Sequence, residues 1–376
     1  MKILIAPDSF KGSLTAREAA DNIEKGILKV YPGAEIYNLP LADGGEGTVD
    51  ALIYATGGRK IYKEVTGPLG DPVKACFGIL GNENIAVIET AAASGLVLVP
   101  AGKADPLKAT SFGTGELIKA ALDEGVDKII IGLGGSATVD GGVGLVQALG
   151  IGFKDSSGKE AGFGGAALAG IKRIDSSNLD IRVRDVEFII ASDVSNPLYG
   201  PDGAAYVFGP QKGATPEMVK LLDAGLQNLA RVIKKETGKE VARLSGAGAA
   251  GGIGAALLAF LDARMKSGID LILEIYDFDN ILREVDLVIT GEGRLDRQTL
   301  MGKAPFGVAK RANKFNIPVI ALAGSVESEA IDKLNQYFTA ALSIVQEPGS
   351  IEEVMANSKT WLQLSTQQIM QLIKPS

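Results

Sequence analysis

The residues with the most chemical capacity in this sequence lie in the stretch 290–309, TGEGRLDRQTLMGKAPFGVA. The apolar run 286–289 before it contains two β-branched residues, which predicts a buried strand. The glycines on either side of Glu292 predict a loop whose backbone can come close to a ligand. The charged residues that follow are Arg294, Asp296, Arg297 and Lys303. A glycine loop carrying both signs of charge at the carboxyl end of a strand stands where open α/β sheets bind ligands.

This combination of groups is suited to phosphoryl transfer. Backbone amides and cationic side chains bind phosphate oxygens, and carboxylates hold Mg²⁺. The stretch 290–309 contains all three kinds of group. An ordinary strand-to-helix turn with solvated charges has the same residue types, so the segment alone leaves both interpretations open.

The composition of the 376 residues excludes several kinds of chemistry. The sequence has no histidine, so Ser-His-Asp triads, Cys-His pairs and zinc sites with histidine ligands are impossible. Proton transfer falls to Asp, Glu, Lys, Tyr, Cys76 or water, and hard carboxylate oxygens make Mg²⁺ the natural metal. The net charge of −7 argues against a surface for nucleic acid or anionic membrane. An anionic substrate therefore needs a local cluster of Lys and Arg.

The sequence shows no sign of export or membrane insertion. The single cysteine, Cys76, excludes an internal disulfide and fits a reducing compartment. The apolar start of the chain is too short for a signal peptide. The uncharged stretch 244–261 is nearly long enough to span a bilayer, but its five glycines favour a glycine loop that enters a buried helix. These features predict a soluble, cytoplasmic protein.

The two ends of the chain share an alternation of predicted strands and helices. The capping box of Thr15 and Glu18 begins the first helix, and that of Ser350 and Glu353 begins the last. We predict an α/β fold in which 1–56 and 282–376 form a doubly wound parallel sheet domain of flavodoxin or Rossmann type. Residues 57–281 are predicted to form a second, inserted α/β domain. Within it we interpret the turn-rich segment 65–72 as a crossover.

Charged residues also follow other predicted strands, namely Asp8, Lys11, Asp43, Glu46 and Asp193. A single acid in such a position is commonly a helix cap or a solvated loop charge. Parallel strands, however, bring their carboxyl ends to one edge of a sheet. Several strands that end in this way therefore favour one shared site.

Three further glycine segments could bind phosphate or simply allow close packing. The amides of Gly132–Ser136 and Asp140–Gly142 can cradle phosphate, and tight packing of helix on sheet explains them equally well. Residues 246–251 match G-x-G-x-x-G, but the charged, helix-like segment before them disfavours dinucleotide binding. Close helix packing or an anion-binding helix start is favoured there. The sequence has no Walker A motif, since Ala304 follows Gly302-Lys303 where Ser or Thr would hold Mg²⁺.

Several blocks of the sequence resemble the signature segments of the bacterial type I glycerate kinases. They are APDSFKGS at 6–13, ADGGEGT at 42–48, GLGGSAT at 132–138, SDVSNP at 192–197, FGPQKG at 208–213 and TGEGRLD at 290–296. The resemblance runs in order from the first strand to the last helix. It implies a two-domain α/β protein that transfers the γ-phosphoryl group of ATP to D-glycerate with Mg²⁺. The implied product is a phosphoglycerate, with 2-phosphoglycerate favoured.

Within this resemblance, chemistry suggests a role for each candidate residue. The predicted catalytic residues are Asp193 as base or hydroxyl-positioning group, Lys11 and Arg294 as anion-binding cations, and Asp8. The predicted substrate-binding residues are Ser9, Asp43, Glu46 and Asn196. The predicted ATP-binding residues are Gly134, Gly135, Ser136 and Lys303. The predicted Mg²⁺ ligands are Glu292 and Asp296.

Two other functions remain open from the sequence. A nicotinamide-dependent hydroxy-acid dehydrogenase would require a strand directly before 246–251. A non-catalytic sensor of small acids would bind glycerate without consuming ATP. The regiochemistry of the product and the oligomeric state are not decided by the sequence.

Overall fold

The computed structural model describes residues 1–42, 44–81 and 83–374. The strands are β1 Lys2–Pro7, β2 Glu35–Asn38, β3 Arg59–Thr66, β4 Pro72–Ile79, β5 Ile85–Glu89, β6 Lys128–Gly132, β7 Gly152–Lys154, β8 Arg173–Asp175, β9 Glu187–Ala191, β10 Arg264–Lys266, β11 Leu287–Leu295, β12 Val319–Val326 and β13 Ala340–Ser343. The helices are α1 Ala16–Leu28, α2 Thr48–Thr56, α3 Ala91–Ser94, α4 Phe112–Asp123, α5 Val143–Ala148, α6 Ala204–Phe208, α7 Pro216–Thr237, α8 Ala249–Phe260, α9 Gly268–Ile275, α10 Phe278–Leu282, α11 Ala304–Lys314, α12 Ile331–Leu334 and α13 Ile351–Ile373.

The chain divides into two compact units. The first contains the described residues of Met1–Asp43, Asp50–Thr56 and Ile269–Ser376. The second contains those of Gly44–Val49 and Gly57–Gly268. The domain boundaries that we draw from the sequence, after residues 56 and 281, stay a prediction.

The first unit contains a sheet of five parallel strands from both ends of the chain, in the order β2-β1-β11-β12-β13. Numbered within this unit, the order is 2-1-3-4-5, that of flavodoxin-like folds. The direction of winding reverses between β1 and β11. The predicted α/β class with a parallel sheet is confirmed, and ligands of such sheets bind at the carboxyl ends of the strands beside this reversal.

Helices cover both faces of this sheet. Ile3 and Ile5 of β1 pack with Ile23 of α1 and Leu362 of α13 in one apolar cluster. Both helices begin at the predicted capping boxes, in which Thr15 accepts from the amide of Glu18 and Ser350 from that of Glu353. Helix α11 contacts β1, β11 and β12. Pro305 lies in its first turn, a position that suits proline in a helix.

Strand β11 is longer than the sequence predicts. We expect a glycine loop after residue 289, but the strand continues to Leu295 and pairs with β12 as far as Val326. The loop prediction is wrong because Gly291 provides close strand packing rather than a turn. A methyl group on Gly291 would lie 2.2 Å from the carbonyl oxygen of Leu322.

The second unit contains a mixed sheet in the order β10-β9-β6-β5-β4-β3. Strands β5, β6, β9 and β10 are parallel, whereas β3-β4 and β4-β5 are antiparallel. The segment 65–72 is therefore a hairpin connection and not the predicted crossover. Its turn is closed by a hydrogen bond of 2.8 Å from the amide of Gly67 to the carbonyl of Asp71, and Gly70 has a φ of +94°.

The uncharged stretch 244–261 forms a turn and helix α8. None of the helices in the described ranges combines the length and the apolar character needed to cross a membrane.

Candidate functional site

In the first unit, the segment after β1 lies against the middle of β11. The amide of Asp8 donates to the carbonyl of Gly291 at 2.8 Å, and the amide of Ser9 donates to Asp8 Oδ1 at 2.6 Å. Lys11 is exposed, and a methyl group on Gly293 would lie 3.4 Å from the Lys11 amide nitrogen. Three predicted site residues therefore lie at the carboxyl ends of the strands beside the winding reversal.

Glu292 is a buried carboxylate in this place, with 6% of its surface exposed. Its Oε1 accepts a hydrogen bond of 2.7 Å from Thr299 Oγ1, and its Oε2 lies 3.3 Å from Lys303 Nζ. Burial raises the pKa of Glu292, while the bond from Thr299 and the charge of Lys303 oppose the rise. Glu292 is thus held in position by two partners from the segment that follows β11.

Asp296 organises the turn after β11. Its Oδ1 accepts from the amides of Gln298 at 2.9 Å and Thr299 at 3.2 Å. Its Oδ2 lies 3.5 Å from Nε of the exposed Arg294. Thr299 was not among the predicted site residues; its hydroxyl accepts from the amide of Asp296 and donates to Glu292. The D-x-x-T spacing, typical of side chains that bond to a local turn, could have indicated it.

Glu292 and Asp296 can be tested as ligands of Mg²⁺ by the chemistry of their donor atoms. Carboxylate oxygens suit Mg²⁺, which commonly binds one or two of them and completes its shell with water and substrate phosphates. The Lys303 ammonium lies 3.3 Å from one carboxylate and 3.7 Å from the other. The described ranges contain no group of three potential ligand side chains. The donors fit a metal shared with phosphates, for which Lys303 would have to give up one contact.

In the second unit, the segment 44–48 lies against the carboxyl ends of two parallel strands. A methyl group on Gly132, at the end of β6, would lie 2.3 Å from the Gly44 carbonyl oxygen. A methyl group on Gly44 would lie 2.9 Å from the carbonyl oxygen of Ala191, at the end of β9. This close packing holds the exposed Glu46 near that edge. The predicted site residue Asp43 lies outside the described residues.

The segment Gly134–Ser136 follows β6 at the same edge. Gly135 is exposed with a φ of +71°, Gly134 is half-buried and Ser136 is 6% exposed. The carbonyl of Gly135 accepts from the amide of Leu96 at 2.8 Å. The amides of the two glycines donate to no other group in the described part of the chain. Amides of exposed or half-buried glycines that make no hydrogen bond within the protein can bind a phosphate group.

A buried lysine lies behind this segment. Lys212 is 2% exposed, and its Nζ donates to Ser136 Oγ at 2.8 Å and to the Thr138 carbonyl at 2.7 Å. Burial lowers the pKa of Lys212 to about 7, and the charge of Asp140 acts in the opposite direction. Lys212 was not among the predicted site residues, because no feature of the segment FGPQKG shows that its lysine is buried.

The other two glycine segments serve packing. The carboxylate of Asp140 accepts from the amides of Ser111, Gly142 and Gly144 at 2.8, 3.0 and 3.3 Å. The possible phosphate cradle at 140–142 is therefore occupied by an acid of the same segment. A methyl group on Gly251 would lie 2.0 Å from the Thr138 carbonyl, and a turn rather than a strand precedes 246–251. The requirement for dinucleotide binding is not met.

Asp193 and Asn196 follow β9. Asp193 is exposed. The side-chain amide of Asn196 donates to the Asp202 carbonyl at 2.8 Å. The backbone carbonyl of Asn196 accepts from the amide of Gly248 at 3.0 Å. Asn196 therefore has a clear part in fixing its own loop, in addition to the substrate-binding role predicted from the sequence.

The structure groups the described candidate residues by unit. At the ends of β1 and β11 in the first unit lie Asp8, Ser9, Lys11, Glu292, Arg294, Asp296 and Lys303. At the ends of β6 and β9 in the second unit lie Glu46, Gly134, Gly135, Ser136, Asp193 and Asn196. The role of each residue stays a prediction.

Comparison with known proteins identifies close relatives over the whole length. Residues 3–374 match the sequence model of the glycerate kinase family. A glycerate kinase from Bacillus subtilis (strain 168) is 51% identical over 374 residues, which cover 100% of this chain and 98% of that protein. A glycerate 2-kinase from Escherichia coli (strain K12) is 51% identical over 354 residues, 94% of this chain and 93% of the other. A crystal structure from Salmonella typhimurium LT2, described as a glycerate kinase 2, has a TM-score of 0.89, 47% identity and coverage of 99% and 98%.

Proposed function

The chain belongs to the glycerate kinase family, and on this premise we propose that it transfers the γ-phosphoryl group of ATP to D-glycerate. The observation that carries the proposal is the match over residues 3–374. It includes every segment that brings a candidate side chain to the carboxyl end of a parallel strand. The proposed product is 2-phosphoglycerate, in keeping with the name of the relative from Escherichia coli.

Lys11 and Arg294 are the proposed anion-binding cations of the first unit. Both are exposed at the ends of β1 and β11 and can reach the carboxylate of glycerate or the transferred phosphoryl group. Asp8 and Ser9 come shortly before Lys11, in the segment that lies against β11, and would orient the bound acid. An acidic protein of net charge −7 needs such a local positive cluster to bind an anion.

Gly134, Gly135 and Ser136 are proposed to bind the phosphates of ATP. Backbone amides that point at a phosphate stabilise its charge without any reorganisation of the protein. Lys303 supplies an ammonium group whose present partners are the carboxylates of Glu292 and Asp296. Because phosphoryl transfer has a loose transition state, positioning and charge stabilisation matter more than strong base catalysis.

Glu292 and Asp296 are the proposed ligands of Mg²⁺. The bound ion neutralises charge that develops on the phosphate oxygens. Asp193 is proposed to accept a hydrogen bond from the reacting hydroxyl of glycerate, which orients that oxygen for attack. The proposed substrate contacts of the neighbouring segments are those of Glu46 and Asn196, together with Asp43.

The reaction is proposed to take place in the cytoplasm, a reducing compartment that fits the single cysteine, Cys76. The dehydrogenase alternative has lost its basis, because no strand precedes 246–251. The second alternative, a non-catalytic sensor, would bind D-glycerate without consuming ATP, so a measurement of ATP consumption distinguishes it from a kinase.

The experiment that tests the proposed function identifies the product. The protein is incubated with ATP, Mg²⁺ and D-glycerate, and the products are followed by phosphorus NMR. We expect ADP and a single signal of 2-phosphoglycerate, with no reaction of L-glycerate. Turnover of a different hydroxy acid in place of D-glycerate would refute D-glycerate as the substrate but would still identify the protein as a kinase. Binding of D-glycerate without consumption of ATP would identify a sensor.

A further inference from the structure

Lys212 connects the segment Gly134–Ser136 to a rigid turn. The residues Pro210–Lys212 form a single 3₁₀ turn, in which the amide of Lys212 donates to the Gly209 carbonyl at 2.9 Å. A methyl group on Gly209 would lie 2.3 Å from the Ala205 carbonyl oxygen, and one on Gly213 would lie 2.5 Å from that of Ala104. The backbone on both sides of Lys212 is therefore tightly packed, which aims its side chain at a fixed place.

The hydrogen bonds of Lys212 determine how Ser136 can act. Because Ser136 Oγ accepts from Lys212 Nζ, its own hydroxyl proton is directed to another partner. A neutral lysine amine has two N–H groups, and Ser136 Oγ and the Thr138 carbonyl are two acceptors. A protonated Lys212 has a third proton and a full positive charge next to the segment Gly134–Ser136.

We propose that Lys212 is a positioning residue of the Gly134–Ser136 phosphate segment, which orients the Ser136 hydroxyl and takes up a proton when a phosphate group binds. This inference rests on the proposed binding of ATP phosphates by that segment. Lys212 acts through Ser136 and does not itself touch the phosphate.

The electrostatics around Lys212 make such proton uptake possible near neutral pH. Its partners Ser136 and Thr138 are neutral, and the charged group that acts on it is Asp140, from the loop after β6. Burial lowers the pKa of Lys212 to about 7, so the free protein is partly deprotonated under ordinary conditions. A phosphate bound at Ser136 adds negative charge nearby and raises that pKa. By linkage, binding is then tightest below pH 7 and weakens as the pH rises.

The first test is the pH dependence of KM for ATP in Lys212→Met and in Lys220→Met. Methionine keeps most of the volume of lysine without its charge, and Lys220 is an exposed lysine on α7 that serves as the matched control. We expect KM for ATP at about pH 6.5 to rise roughly tenfold in Lys212→Met, as for the loss of one hydrogen bond to a charged group. The difference in KM for ATP between Lys212→Met and the wild type should shrink towards pH 9, while KM for D-glycerate stays near its wild-type value.

The second test measures proton uptake directly by calorimetry. Mg²⁺ and ATP are titrated into the full chain at about pH 8 in two buffers with different ionisation enthalpies. The terminal phosphate of ATP is already deprotonated at this pH. We expect the wild type and Lys220→Met to take up a fraction of a proton, and Lys212→Met to take up none. Titration with D-glycerate should give no uptake in any of the three proteins.

Equal proton uptake by the wild type and a folded Lys212→Met would overturn the proposal, as would parallel pH profiles of KM. If Lys212→Met does not fold, the wild type still decides, because absence of uptake on ATP binding contradicts the proposal. Proton uptake on binding of D-glycerate instead of ATP would also overturn the proposal, because it would mean that Gly134–Ser136 does not bind the phosphates of ATP. A failure of the proposed kinase function is observed separately, because ATP would then bind normally but no phosphoglycerate would form.

Discussion

Two lysines of the candidate sites have opposite surroundings. Lys303 lies between the carboxylates of Glu292 and Asp296, so its charge is compensated within the protein. Lys212 donates to a hydroxyl and a carbonyl, and the charge of Asp140 opposes the effect of burial on its pKa. A bound phosphate would compete for the first lysine and would stabilise the charge of the second.

We predict that Lys11→Ala weakens the use of D-glycerate without unfolding the protein. Lys11 is an exposed cation in a turn, so its loss removes an anion contact and little packing. KM for D-glycerate should rise roughly 10- to 100-fold, as expected for a hydrogen bond to a charged group. Steady-state kinetics with Lys310→Ala, an exposed lysine on α11, as control should show no such rise. Unchanged kinetics in folded Lys11→Ala would remove Lys11 from the site.

We predict different defects for Asp296→Asn and Asp193→Asn. Asp296 lies 3.7 Å from Lys303 and 3.5 Å from Arg294, a setting for metal and phosphate, so its variant should need more Mg²⁺. Asp193→Asn should lower kcat by about 10²-fold, at the lower end for a general base, with little change in the Mg²⁺ requirement. Mg²⁺ titrations of activity decide this, with Asp185→Asn as an exposed control. The opposite pattern would show that the two roles are reversed.

We predict that Lys212 makes stability depend on pH. Its pKa is 10.5 when unfolded and about 7 when folded, so between these pH values the unfolded chain binds more protons and stability rises with pH. Below pH 7 the destabilisation is complete, on the order of 5 kcal/mol. Relative to Lys212→Met, the wild type should gain roughly 1.4 kcal/mol per pH unit from pH 7 towards 10. Urea unfolding at several pH values measures this, and a constant difference between the two proteins would contradict it.

Among the elements, β11 contributes both to the packed core and to the candidate site. Its first half is buried between β1 and β12, and its second half carries Glu292 and Arg294. Gly291 faces the Leu322 carbonyl closely, whereas Gly293 faces the Lys11 backbone with ordinary clearance. The close approach of the Leu322 carbonyl therefore leaves no room for a side chain at Gly291, whereas a methyl group has room at Gly293.

We predict that Gly291→Ala destabilises the protein and that Gly293→Ala hardly does. The new methyl group would lie 2.2 Å from a backbone oxygen in the first variant and 3.4 Å from the nearest atom in the second. Overpacking of this kind costs about 1–3 kcal/mol. Denaturant unfolding of both variants provides the measurement, and equal midpoints would show that β12 moves to make room.

For the whole molecule, each unit presents candidate residues at the carboxyl ends of its own parallel strands. A ligand that binds only the folded protein stabilises it by mass action, by about 2.7 kcal/mol at a hundred times its Kd. The shift in melting temperature of the full chain that each ligand causes therefore tests the proposed contacts of D-glycerate and of ATP separately.

We predict that ATP and D-glycerate each raise the melting temperature of the wild type. Lys11→Ala should lose most of the shift caused by D-glycerate and keep that caused by ATP. Ser136→Ala should lose part of the ATP shift and keep that of D-glycerate. Thermal melts at fixed ligand concentrations give the comparison. Equal loss of both shifts in one variant would mean that it disturbs the fold rather than one contact.

The sequence by itself determined the features that depend on neighbouring residues. The apolar run at 286–289 indicated the buried start of β11, and the two capping boxes marked the starts of α1 and α13. The absence of histidine excluded whole classes of chemistry. The order of the signature segments was enough to indicate the family. Such features depend on residues that are close together in the chain, so they can be recognised from the sequence alone.

The tertiary structure decided what each glycine and each charge does. Gly291 is a strand residue because Leu322 lies against it, and Asp140 occupies its own loop because its carboxylate meets the Ser111 amide. Lys212 is buried because Ser136 and Thr138, more than seventy residues earlier, receive its hydrogen bonds. Burial and clearance depend on atoms that are remote in sequence. A motif therefore shows which groups are present, and only the packed fold determines whether they meet solvent, a ligand or each other.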